Sequence, residues 1–185
     1  MTPEFPNKKY KIIYADPPWE YDSHNVQGQA SNEYPVMPFE DILSLPVEQL
    51  ADDDCMLFLW VTSPFMQEGL DLIKKWGFEY KTIAFVWEKT NLPVGLGHYT
   101  RINHEFVLLG RRGKFERQST KIRQAIKANN KGHSQKPSQV RDRIIELCGD
   151  LPRIELFART KVHGWDTWGN DPKLDNTPLE QWINP

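Results

Sequence analysis

Short apolar runs, separated by polar stretches that carry proline or glycine, recur along the chain. Those at 11–16 (KIIYAD), 55–62 (CMLFLWVT), 81–88 (KTIAFVWE), 102–110 (INHEFVLLG) and 153–158 (RIELFA) are short, bounded by turn residues and rich in aromatic and β-branched side chains. Each predicts a strand. Most lack clean alternation of apolar and polar positions, which predicts burial on both faces of a parallel-rich sheet. A different period fills the gaps. In SPFMQEGLDLIKKWG (63–77), Ser63 suits a helix cap, Pro64 the first turn and Gly77 the stop, while Phe65, Leu72 and Trp76 recur near helical spacing. PSQVRDRIIELCG (137–149) repeats the design, with Val140, Ile144 and Leu147 on one face and Gly149 as the stop; residues 40–50 predict a shorter helix interrupted by proline.

Alternating strands and helices predict an α/β, doubly wound, mostly parallel sheet with helices on both faces, its ligand sites beyond the carboxyl ends of the strands. At 185 residues the chain fits one domain spanning 1–185, with a core at about 10–170 and a tail at 171–185. Seven Trp, nine Phe and six Tyr supply enough apolar surface for a globular core. There is no signal-like apolar segment and no run long enough to cross a bilayer, so a cytoplasmic location is expected and a membrane partner is not. Cys55 and Cys148 lack metal-ligand spacing and read as buried thiols. The polar or glycine-bearing stretches 20–36 and 89–101 are expected to be lids.

Charge changes the picture only when divided by position. Residues 111–143 carry eleven Lys and Arg against Glu116 and Asp142, a local charge of +9 on a chain of net charge −2. Such a segment suits a phosphate backbone, with Arg117, Lys121 and Arg123 as candidate contacts, or it is a solvated face.

The most distinctive stretch is YADPPWEY (14–21), where an apolar run breaks at Asp16-Pro17-Pro18-Trp19. Two prolines remove two backbone donors and fix the chain, leaving a carboxylate and carbonyls as a rigid set of acceptors. A ligand for that set must donate. An exocyclic amino group has two N–H bonds to offer, one to the Asp16 carboxylate and one to the Pro17 carbonyl, while Trp19 or a nearby tyrosine stacks on the attached ring. The plain alternative is a turn leaving the sheet.

DPPW, YPVM, LFLWVT, HSQKP, IELFAR and GWDTWGN occur here in the order found in the MT-A70-like family of S-adenosylmethionine-dependent adenine-N6 methyltransferases, prokaryotic or phage type, which the chain resembles from about Lys11 to Asn170. The resemblance implies a Rossmann-like class I methyltransferase fold in which Asp16, Pro17, Pro18 and Trp19 form the catalytic tetrad ahead of the cofactor segment. It implies S-adenosylmethionine as cofactor, held by Asp16, Lys136 (at the cofactor carboxylate), Phe157 (by its adenine), and Arg159 and Asn170 (at its ribose). Glu155 is a further acidic group there or a supporting one. Tyr34 matches a tyrosine that gates the substrate pocket, and Trp60 lines the site or belongs to the core. The better-known eukaryotic members carry Gln after the matched Asn, where this chain has Asp171, and an Asp-Ile clamp upstream of the tetrad. Only fifteen residues precede Asp16, so recognition of the cofactor adenine is expected to differ.

Asn103, His104 and Glu105 interrupt an apolar strand, as a structural polar cluster or as substrate contacts. His24, His98 and His133 lack partners at metal spacing, so no metal is expected. Direct in-line methyl transfer to the N6 amine of adenine in DNA is the leading expectation. RNA adenosine is the alternative substrate, and a non-catalytic nucleic-acid-binding protein a third reading. A homodimer or second subunit is compatible with the short chain.

Overall fold

In the computed structural model, residues 5–20, 37–91, 99–130 and 135–169 are described. Tyr34, Asn170, Asp171, His24, His98, His133 and the tail fall outside them. Seven strands form one sheet: β1 (Tyr10–Ala15), β2 (Ala51–Val61), β3 (Glu79–Lys89), β4 (His104–Arg112), β5 (Ala125–Ala128), β6 (Arg153–Leu156) and β7 (Asp166–Trp168), in the order β5-β3-β4-β2-β1-β6-β7. β4 is antiparallel to both neighbours and every other pairing is parallel, so six strands run one way. This mixed, mostly parallel α/β sheet is consistent with a class I methyltransferase fold.

Alternate residues of β1 feed two cores, as the two-residue period of a strand requires. Ile13 and Ala15 join Leu57, Leu59, Leu72, Ile73 and Trp76 on the face covered by α1 (Phe39–Ser44) and α2 (Met66–Lys75). Ile12 and Tyr14 join Phe58, Trp60, Trp87, Val140 and Ile144 on the face covered by α3 (Gln139–Cys148). Both faces are therefore apolar, which is why the runs show little alternation. Cys55 and Cys148 are buried and free, and burial pushes each thiol up to about 12.

The departures from expectation are local. β5 and β7 are additional short strands: β5 pairs only with β3, and only its Ile126 is deeply buried, so the hydrophobic pattern carried little signal. Within the basic run Ile126 is buried and Ile122 partly buried, while Ala125 is exposed. Ser63 does not cap α2; it starts a 3-10 turn, Ser63–Phe65, that contains Pro64 and precedes the helix. Gly77 adopts φ +82 after α2, its N–H bonded to the Lys74 carbonyl, and Gly149 adopts φ +88 after α3. Glycine pays little for this left-handed region. Among the described residues, no helix is long and apolar enough to cross a membrane.

Candidate active site

The chain leaves β1 toward β2 on one side of the sheet and leaves β6 toward β7 on the other. Neighbouring parallel strands whose connections diverge open a crevice at their carboxyl ends, the usual ligand position in such sheets. Ala15 pairs with Leu156, so Asp16 and Phe157 emerge side by side at that crevice. Phe157 is the only non-glycine residue with positive φ among those described, at 60°, and its ring packs edge-on against Trp168 at 5.4 Å. A phenylalanine held in this region is strained, a condition that clusters at functional sites.

At the tetrad, the Trp19 N–H donates to the Pro17 carbonyl at 2.9 Å and the Met37 N–H donates to the Pro18 carbonyl at 3.0 Å. The expected set of bare acceptors is thus partly used internally. A carbonyl oxygen has two lone pairs, so Pro17 retains capacity for one further donor. Trp19 is 6% exposed and lies nearly parallel to Phe65, ring centroids 5.2 Å apart. One face of the indole is therefore taken by Phe65, and Trp19 braces the turn from within the core.

Asp16 is not alone. Lys136 Nζ lies 3.0 Å from Asp16 Oδ1 and 3.0 Å from Glu105 Oε2, and Lys89 bonds the other Glu105 oxygen. Burial pushes the Asp16 carboxyl above its ordinary value; the Lys136 ammonium opposes this and the Glu105 carboxylate adds to it. Burial acts in the same direction on Glu105, but the two lysines outweigh it and hold that carboxyl low. Lys136 would lose its proton through burial, yet the two acids outweigh that loss and keep it firmly charged. Its ammonium also sits 5.1 Å over the Trp60 ring. Trp60 is thus both core and floor, since it is buried beneath a charged group of the site.

A second ionic group lies beneath Tyr14. Arg141 donates two hydrogen bonds to Glu155, at 2.7 and 2.6 Å, and its guanidinium stacks 5.5 Å from the Tyr14 ring. Burial pushes Glu155 up and Arg141 opposes it. Both oxygens of Glu155 accept from Arg141, which ties the carboxylate of β6 to α3. The Trp60 N–H donates to the Tyr14 hydroxyl at 2.6 Å, joining the two groups through one aromatic layer. Arg159 is half-buried and close enough to Asp16 to act on its charge.

The basic run is not where a strip beside the pocket would have to be. Because β4 is reversed, Arg111 and Arg112 pair with Met56 and Cys55, at the end of the sheet remote from Asp16. The Lys114 N–H donates to Asp54 and the Gln118 N–H to the Leu147 carbonyl in the last turn of α3, which keeps Arg117 at that same end. Exposed Lys121 and Arg123 follow on the way back, where Arg143 holds the Arg123 and Ala125 carbonyls at 2.6 and 2.8 Å. Among the described residues, β5 returns to the catalytic end with Lys127 paired with Glu88 at 3.1 Å, and Lys136, from the same run, reaches Asp16 there. The remote end also carries Asp52, which meets Lys11, and Asp54, so the +9 run is divided and partly neutralised. The candidate phosphate contacts Arg117, Lys121 and Arg123 therefore do not form one continuous strip beside Asp16.

Sequence reasoning had not singled out Lys89, Arg141 or Tyr14 as parts of the site, and had left Glu105 between two roles. An acid inside an apolar strand was a usable signal for Glu105. Lys89 and Arg141 looked like any other cation until the sheet order brought them to an acid.

The MT-A70 family model matches residues 10–171. A type II methyltransferase, M.MunI of Mycoplasma sp., is 39% identical over 91% of this chain and 80% of its own length. An N(6)-adenosine-methyltransferase MT-A70-like protein of Drosophila melanogaster is 31% identical over 92% of this chain, which spans only 28% of that protein. A non-catalytic subunit of Arabidopsis thaliana N6-adenosine-methyltransferase, MTB, is 38% identical over 49% of the chain.

Proposed function

Because the chain belongs to the MT-A70 family of adenine-N6 methyltransferases, we propose that it methylates the N6 amino group of adenine in DNA. The observation that carries the reading is the position of Asp16 and the Pro17 carbonyl at the mouth of the β1–β6 crevice, beside a buried cation. The resemblance to M.MunI, which this chain matches over most of both lengths, supports DNA rather than RNA.

The residues present suit S-adenosylmethionine. Lys136 is a buried cation able to meet the cofactor carboxylate, Phe157 presents an aromatic ring at the strand end, and half-buried Arg159 stands nearby. When bound, the cofactor supplies a methyl group already activated on a sulfonium. The chain then has to position and desolvate the amine. A target base cannot reach such a crevice while stacked in a duplex, so it must be extruded. Its N6 donates one hydrogen bond to the Asp16 carboxylate and the other to the Pro17 carbonyl. Holding both N–H bonds fixes the nitrogen and favours the geometry in which its lone pair points at the methyl group. The surplus proton then leaves through Asp16 or to solvent. No covalent protein intermediate is required.

Tyr34 is assigned to the gate of the pocket and Asn170 to the cofactor ribose. Transfer of labelled methyl groups to sequence-matched DNA and RNA oligonucleotides tests the function directly. Labelling of N6-adenine in DNA supports the proposal. Labelling of RNA alone would replace it with the activity named for the eukaryotic relatives, and cofactor binding without any transfer would favour a non-catalytic role.

A further inference from the structure

Four charged groups alternate in sign across the catalytic end of the sheet: Lys89 at the end of β3, Glu105 near the start of β4, Lys136 ahead of α3, and Asp16 after β1. Glu105 gives one oxygen to each lysine, and Lys136 divides its ammonium equally between two acids, 3.0 Å from each. The two acids are therefore no more than about 6 Å apart with one cation between them. Lys89 is fixed from behind. Its N–H bonds the Asn103 carbonyl, its ammonium lies 5.0 Å over Trp87, and the next residues tie β3 to β5 through Thr90 with Asn129 and Asn91 with Asn130. Lys89 is thus anchored to the frame, while Lys136 lies between two competing acceptors.

We infer that Glu105 and Lys89 are positioning residues, which set how the Lys136 ammonium is shared between Glu105 and Asp16 and hence how much of Asp16 remains to accept hydrogen bonds from the substrate amine. The inference rests on reading the site as a methyl-transfer centre, but its physical content concerns the ligand-free protein. Without Glu105, Lys136 has one acid left and closes on Asp16. Without Lys89, Glu105 has one cation left and draws Lys136 away from Asp16. The two losses push Asp16 in opposite directions, because an approaching cation favours its ionised form and a receding one disfavours it. Among the described residues, the other charged or titratable groups acting on Asp16 are Arg159, Tyr14, Arg141 and Glu155, and neither substitution alters them.

The test is a pair of titrations on Glu105→Gln and Lys89→Met. In cofactor-free protein labelled with carboxyl carbon-13 aspartate, the Asp16 signal, assigned by its loss in Asp16→Asn, should titrate about one pH unit lower in Glu105→Gln and about one unit higher in Lys89→Met. The acid limb of methyl transfer should follow the same two directions, with kcat falling more than KM changes. Lys89→Arg should restore the wild-type midpoint and Glu105→Asp part of it. A purely structural role would lower thermal stability in both variants and leave the Asp16 midpoint alone. Midpoints that stay put, or that move the same way in both, overturn the inference. If Glu105→Gln does not fold, Lys89→Met against Lys89→Arg still decides it. Absence of methyl transfer in the wild-type protein would overturn the proposed function and leave the titration result standing.

Discussion

Two ionic groups lie within one aromatic layer of each other, and they are built differently. Among the described residues, Arg141 and Glu155 form a closed pair: two parallel hydrogen bonds, each the other's ionic partner, sealed under Tyr14. Lys89, Glu105, Lys136 and Asp16 form an open chain in which the two inner members each serve two partners. A closed pair has one low-energy arrangement and supports the strand above it. In the open chain a third carboxylate or an amine can enter by redistributing bonds that already exist. Burial is similar in both, so the number of partners, rather than depth, separates support from function.

The largest effect is expected from breaking the closed pair. Arg141→Ala leaves the Glu155 carboxylate buried without its cation, which for such pairs costs about 3–5 kcal/mol. Urea unfolding should read that loss, and replacing both members by apolar residues, Arg141→Met with Glu155→Leu, should recover most of it. A single variant as stable as the wild type would mean that Glu155 is not held as a buried ion, and the contrast between the groups would fail.

Asp16→Ala should do the reverse, leaving the fold intact while removing function. Lys136 keeps Glu105 as a partner, so no buried charge is orphaned. Loss of a positioned acceptor for the amine should slow transfer by about 3–4 kcal/mol, on the order of a hundred- to a thousandfold, with much of the cofactor affinity retained. More than about a tenth of wild-type turnover in the folded variant would remove Asp16 from the mechanism.

The same acid predicts an order of events on acidification. Asp16 is raised in the fold, so its ionisation costs stability at neutral pH and that cost is relieved as pH falls. Glu105 is lowered, so it contributes stability above its ordinary value, and that contribution is lost only as pH falls through its depressed folded value. Activity should therefore decline at a higher pH than the fold does, and reversibly. Circular dichroism followed alongside transfer rates checks this; coincident transitions would contradict it.

Lys136→Ala comes next. If its ammonium receives the cofactor carboxylate, affinity for S-adenosylmethionine should fall by about 1.5–3 kcal/mol, the usual range for a charged hydrogen bond. Calorimetry reads this directly, and unchanged affinity would confine Lys136 to its service of Asp16 and Glu105.

How much of this was legible in the sequence depends on how far apart the partners lie. The tetrad could be read because its four residues are contiguous and its prolines restrict the backbone. The main strands could be read because each is an apolar run bounded by turn residues, and the longer helices because each carries its own period. β7 and β5 could not, since β7 (DTW) carries no apolar run and β5 (AIKA) buries only Ile126 inside a run of cations. The Lys89–Glu105 and Arg141–Glu155 contacts depend on sheet order and on the pairing of Trp87 with Glu105, which no local pattern encodes. The reversed direction of β4 was the costliest omission, because it carries the start of the basic run to the far end of the molecule.

That reversal yields the smallest expected effect. Arg117 and Lys121 are exposed, and Arg117 stands at the remote end, which also carries Asp52 and Asp54. Exposed charges of this kind contribute little to stability, so Arg117→Gln with Lys121→Gln should change it by less than about 0.5 kcal/mol. Their effect on nucleic-acid binding follows from position. Removing a cation that neutralises one phosphate flattens the dependence of log affinity on log salt by roughly 0.9 for a duplex and by roughly 0.7 for a single strand. With the crevice at the opposite end of the sheet, the double variant should keep the wild-type slope, whereas Lys127→Gln, on the strand that returns to the catalytic end, should flatten it by one such step. The measurement is binding of a DNA oligonucleotide across a salt series. If the Arg117 and Lys121 variant loses slope instead, the substrate wraps the length of the sheet, and exposed charge at the remote end has a function that its acidic neighbours do not cancel.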